Sequence, residues 1–135
     1  IFRVNVFLPL ALTRDIILHR IGRVTKFIFA SSSRALHGDE GITIYSASKS
    51  SLKGAVASLT KEYARFKQEF YIISLGLFDS GLATKLSDEV KDRLIQQTAY
   101  TELVTPEDVF NCLMYIGVSS AAAGSTISVD HGYLG

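Results

Sequence analysis

The stretch IYSASKSSLKG, residues 44–54, carries a tyrosine and a lysine four positions apart, with only small residues between them. Side chains at positions i and i+4 lie on one face of an α-helix, so Tyr45 and Lys49 are expected to point the same way. A free phenol has a pKa of about 10, and a positive charge within about 4–6 Å lowers the pKa of an acid by roughly 1–3 units. The pair would therefore form a proton donor and acceptor that works near neutral pH. The simpler interpretation is a chance pair on an ordinary helix.

The elements that would position this pair follow from the spacing of the apolar residues. Helical patterns cover residues 2–19, 43–66, 87–98 and 105–120, and apolar strand patterns cover residues 23–31, 70–76 and 125–130. Pro9 predicts a kink in the first helix, and Thr105 followed by Pro106 marks the start of the last one. The polar, Gly-punctuated residues 32–42 are interpreted as a loop, and residues 77–84 as a mobile connection.

Alternating helices and strands predict an α/β fold with parallel strands and right-handed helical crossovers. The chain has 135 residues, 47% of them hydrophobic, which fits a single domain over residues 1–135. In open parallel sheets, ligands bind beyond the carboxyl ends of the strands. The stretches that follow the first two strands, ASSS at 30–33 and LGLFDSG at 75–81, are therefore expected near Tyr45. Small residues at 46–48 would leave room for a flat ligand against the helix.

Composition excludes several classes of function. A formal net charge of +1, from 14 basic and 13 acidic residues, gives no electrostatic footprint for nucleic acid. The single cysteine, Cys112, excludes an internal disulfide and a multi-cysteine zinc site, and its apolar neighbours predict a small buried side chain. The apolar residues 4–12 are too few to span a bilayer and lack the basic region of a secretion signal. We expect a cytoplasmic protein with no nucleic-acid, membrane or metal partner.

The residues around the pair resemble the active-site segment of the short-chain dehydrogenase/reductase family. Ser32 stands thirteen positions before Tyr45, and Asn5 stands twenty-seven positions before Ser32, at the spacings used in that family. The tail AGSTISVDHGYLG, residues 123–135, is similar to the closing strand of the family and the turn that follows it. The stretch SLGLFDSG, residues 74–81, is similar to the segment that meets the nicotinamide. The resemblance extends over essentially the whole chain.

The resemblance implies a Rossmann-like, doubly wound parallel sheet, of which this chain supplies about three strands. It also implies hydride transfer between NAD or NADP and a carbonyl or alcohol substrate. Tyr45 would be the general acid and base, and Lys49 would make Tyr45 more acidic and bind the nicotinamide ribose. Ser32 would hold the substrate oxygen by a hydrogen bond. Asn5 would help to hold a water molecule that links Lys49 to solvent.

The same resemblance places three residues beside the nicotinamide: Gly76, Leu77 and Ser80, the last at a position where the family usually has threonine. Two residues depart from the family pattern. Leu75 replaces a proline that would fix a backbone turn, and His131 replaces a glycine in the closing turn.

Several polar residues near the expected site have more than one interpretation. The three consecutive serines leave the assignment open by one position; the spacing favours Ser32, while Ser31 or Ser33 would satisfy backbone groups of the loop. His37 and Asp39 lie between Ser32 and the tyrosine, where relatives contact substrate. The simpler interpretation of both is a solvated loop.

The sequence contains no Gly-rich turn of the kind that binds a dinucleotide pyrophosphate. Because a helical pattern is already running at Ile1, we expect the chain to be the carboxyl-terminal half of a longer enzyme. The alternative is a truncated protein, whose open sheet edge would favour association. Residues 77–98 would form a lid over the substrate.

Two other functions remain open. One is a non-catalytic interaction protein of the same fold, in which the first helix and the long helix pair with a partner subunit. The other is an enzyme of the related nucleotide-sugar group, which has tyrosine and lysine at this spacing and a larger carboxyl-terminal domain. As a short-chain dehydrogenase, the protein is expected to be a homodimer or homotetramer acting on a small carbonyl or alcohol compound. Acyl-thioester ketones, sugars, steroids and small alcohols are all compatible with the sequence.

Overall fold

The computed structural model of the chain describes residues 1–19, 23–78 and 87–134. In these ranges three strands alternate with five α-helices. The strands are β1 (Lys26–Ser32), β2 (Glu69–Leu75) and β3 (Thr126–Val129). The helices are α1 (Leu8–His19), α2 (Ser33–His37), α3 (Thr43–Tyr63), α4 (Asp88–Ile95) and α5 (Pro106–Val118). A 3₁₀ turn, Ala64–Phe66, extends α3. The predicted α/β class is confirmed.

The three strands form one parallel sheet in the order β1-β2-β3. Phe27 of β1 pairs with Phe70 of β2, and Ile72 of β2 pairs with Thr126 of β3. Residues 70–74 of the central strand are all buried, because helices cover both faces of the sheet. This explains the nearly unbroken apolar run in β2, since only strands covered on both faces exclude polar residues from alternate positions.

One face of the sheet packs against α3 and α1 around a cluster of aromatic and aliphatic side chains. The cluster comprises Phe27, Phe29, Leu52, Val56, Phe70 and Ile72. The rings of Phe27 and Phe70 stack at a centroid distance of 5.1 Å. Burial of each such side chain contributes about 1.5–3 kcal/mol, so this face fixes the position of α3 on the sheet.

The other face packs against α5, through Tyr71, Ile73 and Ile116. Cys112 lies half-buried in this cluster, and burial raises the pKa of its thiol. Its interpretation as a small apolar side chain therefore fits the structure, although its burial is only partial. The helices on opposite faces make the sheet doubly wound, as predicted.

The start of α5 is fixed by a capping box, in which two residues exchange hydrogen bonds. The backbone N–H of Asp108 donates to Thr105 Oγ1 at 3.2 Å, and the backbone N–H of Thr105 donates to Asp108 Oδ2 at 2.8 Å. The hydrogen bonds from Thr105 lower the pKa of the Asp108 carboxyl. The predicted cap at Thr105 is confirmed, and the return bond to Asp108 is a feature that the sequence analysis did not include.

The prediction of a loop over residues 32–42 is wrong in part, because α2 occupies five of these residues. Ser32 caps the helix, since its side chain accepts a hydrogen bond from the backbone N–H of Arg34. Gly38 ends the helix with a φ of +80°, a conformation that glycine adopts without strain. One capped turn of helix was too short to show as a periodic apolar pattern.

The first helix begins with a π-helical turn, Arg3–Phe7, that leads directly into α1. In this turn the backbone N–H of Leu8 donates to the carbonyl of Arg3, five residues back. Pro9 has no N–H to donate to the carbonyl of Asn5, so a regular α-helical bond is missing at this point. In place of the regular helix with a kink at Pro9 that was expected, the structure has a π-helical turn directly before the proline. Such π turns occur frequently at functional sites.

The outer side of the first helix is apolar and exposed. The side chains that are at least half exposed include Val4, Phe7, Leu8, Leu12 and Leu18. No described helix combines the length and the hydropathy that a membrane span requires. β1 is an edge strand, and none of the described residues pairs with its outer side.

Candidate active site

A cavity of about 480 Å³ opens at the carboxyl ends of β1 and β2, where ligands bind in open parallel sheets. Residues of five separate segments line it, among them Ser32, Arg34, Tyr45, Gly76, Leu77 and Gln97. The structure therefore brings together four of the residues singled out in the sequence, namely Ser32, Tyr45, Gly76 and Leu77. We refer to this space as the main cavity.

Ser32 ends β1 and caps α2, so its hydroxyl is held at the boundary between strand and helix. Its Oγ accepts a hydrogen bond from the backbone N–H of Arg34 at 3.3 Å. The structure gives the Ser32 hydroxyl hydrogen no acceptor among the described residues, so this O–H is available to donate to a ligand oxygen in the main cavity.

The two neighbouring serines are engaged elsewhere. Ser31 Oγ donates to the backbone carbonyl of Lys49 at 3.4 Å and lines a separate cleft. Ser33 also borders the main cavity, but it is 2% exposed and its Oγ donates to the carbonyl of Leu75 at 3.4 Å. Of the three serines, Ser32 has the hydroxyl best placed for a ligand.

Tyr45 lies in the first turn of α3, close to the carboxyl end of the sheet. Ser48, Leu52 and Val56 are fully buried on the same helix, and Tyr45 and Lys49 are half-buried beside them. These positions are spaced three and four residues apart, as expected for one helical face packed on a sheet. Tyr45 and Lys49 therefore share the inward face of α3.

The two side chains nevertheless line different spaces. Tyr45 borders the main cavity, while Lys49 borders a second cleft of about 330 Å³ between the first helix and β1. Lys49 Nζ donates to the backbone carbonyl of Ala30 at 2.8 Å. Burial lowers the pKa of the Lys49 ammonium, because removal from water disfavours the charged form.

Asn5, in the π-helical turn, lines the second cleft together with Lys49. Its Nδ2 donates to Ser48 Oγ at 3.0 Å, and Ser48 Oγ donates to the carbonyl of Tyr45 at 2.7 Å. This chain of hydrogen bonds joins the π turn to the first turn of α3. Asn5 thereby helps to fix the backbone from which Tyr45 projects.

The expectation that small residues at 46–48 leave room for a flat ligand is wrong for two of them. Ser48 is 0% exposed, because its side chain on α3 is packed against the π turn, where Asn5 donates to it. Ser46 Oγ donates to the carbonyl of Arg34 at 3.1 Å and so joins α3 to α2. The small side chains allow close approach of neighbouring helices instead.

Gly76, directly after β2, lies against the turn that follows β3. A Cβ atom at this position would lie 2.7 Å from the Cα of Asp130, closer than non-bonded carbons approach, so only glycine fits. Its backbone N–H donates to the carbonyl of Val129 at 2.9 Å. This close contact holds Gly76 and Leu77 at the wall of the main cavity. Ser80, also predicted to lie beside the nicotinamide, falls outside the described residues.

His131 stands where the family pattern has glycine, and its backbone shows why glycine suits the position. Its φ is +50°, in the left-handed region that glycine adopts most readily. The imidazole lies between two carboxylates, with Nδ1 3.7 Å from Glu102 and Nε2 3.5 Å from Asp108. Leu75, at the family's proline position, pairs with Val129 and packs in the cluster under α5.

The main cavity also contains residues that the sequence analysis did not select. Arg34, Gln97 and Tyr133 come from α2, the segment after α4 and the turn after β3. His37 contacts Tyr133 edge-on at a ring distance of 5.5 Å, and Asp39 lies 3.4 Å from the Arg34 guanidinium. His37 and Asp39 are exposed, as expected for a solvated loop, but each contacts a residue of the cavity. Only Tyr133 had a sequence signal, its position just beyond a strand.

The parallel sheet, the helices on both faces and the cavity at the carboxyl end define a Rossmann-like α/β protein. Residues 1–134 match a family model described as "Enoyl-(Acyl carrier protein) reductase". The chain therefore belongs to the short-chain dehydrogenase/reductase family of oxidoreductases, as the resemblance implied.

Individual relatives agree with this assignment. The chain is 28% identical over 134 residues to "3-oxoacyl-[acyl-carrier-protein] reductase FabG" of Rickettsia felis, covering 98% of the chain and 54% of the relative. It is 28% identical over 123 residues to "Nodulation protein G" of a Rhizobium species, covering 90% of the chain and 49% of the relative. The chain thus spans about half the length of the curated relatives it matches.

Solved structures share the fold at lower identity. A 4-hydroxyisoleucine dehydrogenase mutant complexed with NADH and succinate aligns with a TM-score of 0.89 and 20% identity, over 97% of this chain and 56% of that one. The angucycline C-6 ketoreductase LanV with bound NADP aligns with a TM-score of 0.87 and 19% identity, over 98% of this chain and 52% of that one.

Proposed function

We propose that the protein is a nicotinamide-dependent oxidoreductase that interconverts a carbonyl compound and an alcohol. The observation that carries this proposal is the shared position of Tyr45 and Ser32 on the main cavity, beside Gly76 and Leu77. Because the chain belongs to an oxidoreductase family, the phenol of Tyr45 and the hydroxyl of Ser32 are well placed to act on a substrate oxygen in this cavity.

In reduction, the Ser32 hydroxyl donates a hydrogen bond to the substrate carbonyl oxygen and Tyr45 transfers its hydroxyl proton to that oxygen. A nicotinamide bound beside Gly76 and Leu77 would supply the hydride for the carbonyl carbon. In oxidation, Tyr45 accepts the alcohol proton. Because Ser32 Oγ already accepts from the Arg34 N–H, its O–H points away from that bond and can hold the substrate oxygen.

Lys49 and Asn5 support this chemistry from the second cleft. One N–H of the Lys49 ammonium is used on Ala30, and the remaining two are available for ribose hydroxyls and for charge stabilisation near Tyr45. Asn5 fixes the start of α3 through Ser48. Lys49 and Asn5 are therefore proposed to position the cofactor and Tyr45.

The described residues fit the nicotinamide end of a dinucleotide. Apolar side chains of Ile42, Leu77, Phe78 and Leu94 line the main cavity and suit a flat ring, and the close packing of Gly76 on Asp130 holds that wall in place. Related folds carry NADH or NADP, which supports a nicotinamide cofactor of either kind. We extend the proposal to Ser80 as a further residue beside the nicotinamide.

We also propose that the protein acts on small carbonyl or alcohol compounds as a homodimer or homotetramer. The exposed apolar side chains on the first helix, among them Phe7, Leu8 and Leu12, form an apolar surface against which a second copy of the chain can pack.

Deuterium transfer on the natural full-length polypeptide tests the proposal. A panel of ketones is incubated with NADH or NADPH deuterated at C4, and the products are analysed by mass spectrometry. We expect loss of absorbance at the nicotinamide band and deuterium on the carbinol carbon of at least one product. If cofactor binds but no ketone or alcohol reacts, the protein is a non-catalytic relative, and if no dinucleotide binds, the catalytic proposal fails altogether.

A further inference from the structure

We infer, on the basis of the proposed function, that the substrate carries an oxyanion, a carboxylate or a phosphate ester, which binds Arg34 in the main cavity. Arg34 is the one charged residue among the described residues that line this cavity. The rest of the lining is largely apolar, and a guanidinium beside an apolar wall is best stabilised by a bound anion.

The backbone of Arg34 is held at both ends, which fixes the origin of its side chain. Its N–H donates to Ser32 Oγ at 3.3 Å, and its carbonyl accepts from the N–H of Gly38 at 2.9 Å and from Ser46 Oγ at 3.1 Å. Arg34 therefore projects from a fixed point two residues beyond the serine that would hold the reacting oxygen. The distance between the reacting group and the anion of the substrate is limited by this geometry.

Within the described part of the chain, the guanidinium has a single acidic partner, Asp39, at 3.4 Å from Nε. Both side chains of this pair are about one third exposed, at 34% and 35%. Ion pairs this accessible to water contribute only about 0.2–1 kcal/mol, so a substrate anion can join or displace Asp39. The two terminal nitrogens of Arg34 form the planar fork that binds a carboxylate or a phosphate in a bidentate manner.

Gln97 supplies a second polar group on the same cavity. Its backbone is fixed, since Leu134 N–H donates to its carbonyl at 2.8 Å. Its side-chain oxygen is buried without a hydrogen-bond partner among the described residues. The NH₂ group of the same amide can donate to the substrate oxyanion, whereas the unpaired Oε1 is an acceptor and would be satisfied by a donor on the ligand.

Matched pairs of substrates test the inference on the natural full-length polypeptide. Each pair consists of a 3-oxo acid of four to ten carbons and its methyl ester, and a third arm uses acetol phosphate against acetol. The variants are Arg34→Gln, Arg34→Lys and Asp39→Asn, with Arg65→Gln as the control. Arg65 lies over the ring of Phe66 in the 3₁₀ turn, away from the cavity, and loses the same charge.

We expect Arg34→Gln to lower kcat/KM for the acid by about tenfold or more, and for the ester by less than about twofold. Arg34→Lys should restore part of the loss, and Arg65→Gln should change neither value. Asp39→Asn should raise kcat/KM for the acid by roughly twofold to fivefold, because it frees the guanidinium. Gln97→Leu should lower the preference for the acid, and Gln96→Leu, at an exposed position, should not. The phosphate arm shows which oxyanion is preferred.

Two results would overturn the inference while leaving the proposed function intact. One is an equal effect of Arg34→Gln on acid and ester. The other is a change confined to the KM of NADH or NADPH, which would assign Arg34 to the cofactor. Absence of turnover by the unmodified protein with every compound would instead overturn the proposed function, and the inference with it.

Discussion

The buried polar groups at the two ends of the sheet differ in whether they have hydrogen-bond partners. At the amino ends of β1 and β2, Lys26, Glu69 and Tyr71 hydrogen-bond to one another and to the end of α5. At the carboxyl ends, the described residues include all three buried side-chain atoms that lack a hydrogen-bond partner, on Ser74, Gln97 and His131. Buried polar groups without partners are uncommon, and their concentration at one end agrees with the proposed position of the site.

The amino-end network is closed. Lys26 Nζ lies 2.8 Å from Glu69 Oε2 and donates to the carbonyls of Ile116 and Ser119 at 2.8 and 3.1 Å. Its hydrogen bond to Glu69 raises the pKa of Lys26. Burial alone would raise the pKa of Glu69, but hydrogen bonds from Lys26, Tyr71 and Ser120 together lower it. Each charge is stabilised by a partner, which makes this end a structural clamp between the sheet and α5.

Lys49, near the carboxyl end, shows the opposite balance. It has one carbonyl acceptor and no described carboxylate partner, and burial lowers the pKa of its ammonium. A charge held in this way costs stability and is retained where function requires it. The two lysines therefore differ in their partners, as expected if Lys26 stabilises the fold and Lys49 has the proposed role in the site.

Replacing each lysine by methionine gives the largest expected contrast. Lys49→Met should reduce turnover roughly a hundredfold, because the ammonium proposed to hold the cofactor ribose is lost, and should leave Tm unchanged or higher. Lys26→Met should lower Tm and leave turnover near the wild-type value, because it breaks the clamp but not the cavity. Steady-state kinetics and thermal unfolding of both variants measure this; a fall in Tm for Lys49→Met with normal turnover would reverse the assignment.

The pH dependence of stability has opposite signs for the two lysines. The folded pKa of Lys26 is raised above its ordinary value of 10.5, so its stabilising contribution is complete below that pH and is lost as the pH rises through the folded value. The stability difference between wild type and Lys26→Met should therefore shrink above pH 10.5. For Lys49 the folded pKa is lowered, so its burial reduces the free energy of unfolding at pH values below the folded pKa, and this cost disappears as the pH rises towards 10.5. Lys49→Met should therefore be most stabilising, relative to wild type, below the folded pKa.

Removing one buried hydroxyl from each end gives a smaller contrast. Tyr71→Phe should lower the free energy of unfolding by about 1.5–3 kcal/mol, since its hydroxyl donates to the Glu69 carboxylate. Ser74→Ala should leave stability unchanged or raise it by about 1 kcal/mol, because the Ser74 hydroxyl is buried without a partner among the described residues. Denaturant unfolding of the two variants measures these changes. An equal loss of unfolding free energy in both variants would contradict the difference between the two ends of the sheet.

Much of the fold could be predicted from the sequence because its signals are local. The apolar runs of β1 and β2, the long periodic pattern of α3 and the Thr105–Pro106 start of α5 each specify an element within one or a few residues of its observed bounds. The helix α2 was missed, since a single turn capped by Ser32 has no period to detect. Pro9 predicted an irregularity in the first helix but not that it would be a π-helical turn. That depends on the hydrogen bond from the Leu8 N–H to the carbonyl of Arg3, which the sequence does not specify.

The site was predictable in part, for a related reason. The four-residue spacing of Tyr45 and Lys49 predicted that both side chains point together at one site. Both are half-buried on α3, but they border different cavities, which the spacing does not specify. Arg34 and Gln97 reach the main cavity only through the packing of α2 and of the segment after α4, so their roles needed coordinates. The buried position of Ser48 depends likewise on the approach of the π turn.

Tyr45 is proposed to transfer the proton in the main cavity. The single-turnover rate of ketone reduction by Tyr45→Phe tests this proposal, measured beside Tyr115→Phe, which removes an exposed hydroxyl on α5. We expect Tyr45→Phe to slow the chemical step by about 10²–10⁴-fold at unchanged cofactor affinity, and Tyr115→Phe to react at the wild-type rate. A Tyr45→Phe rate equal to that of Tyr115→Phe would contradict the claim.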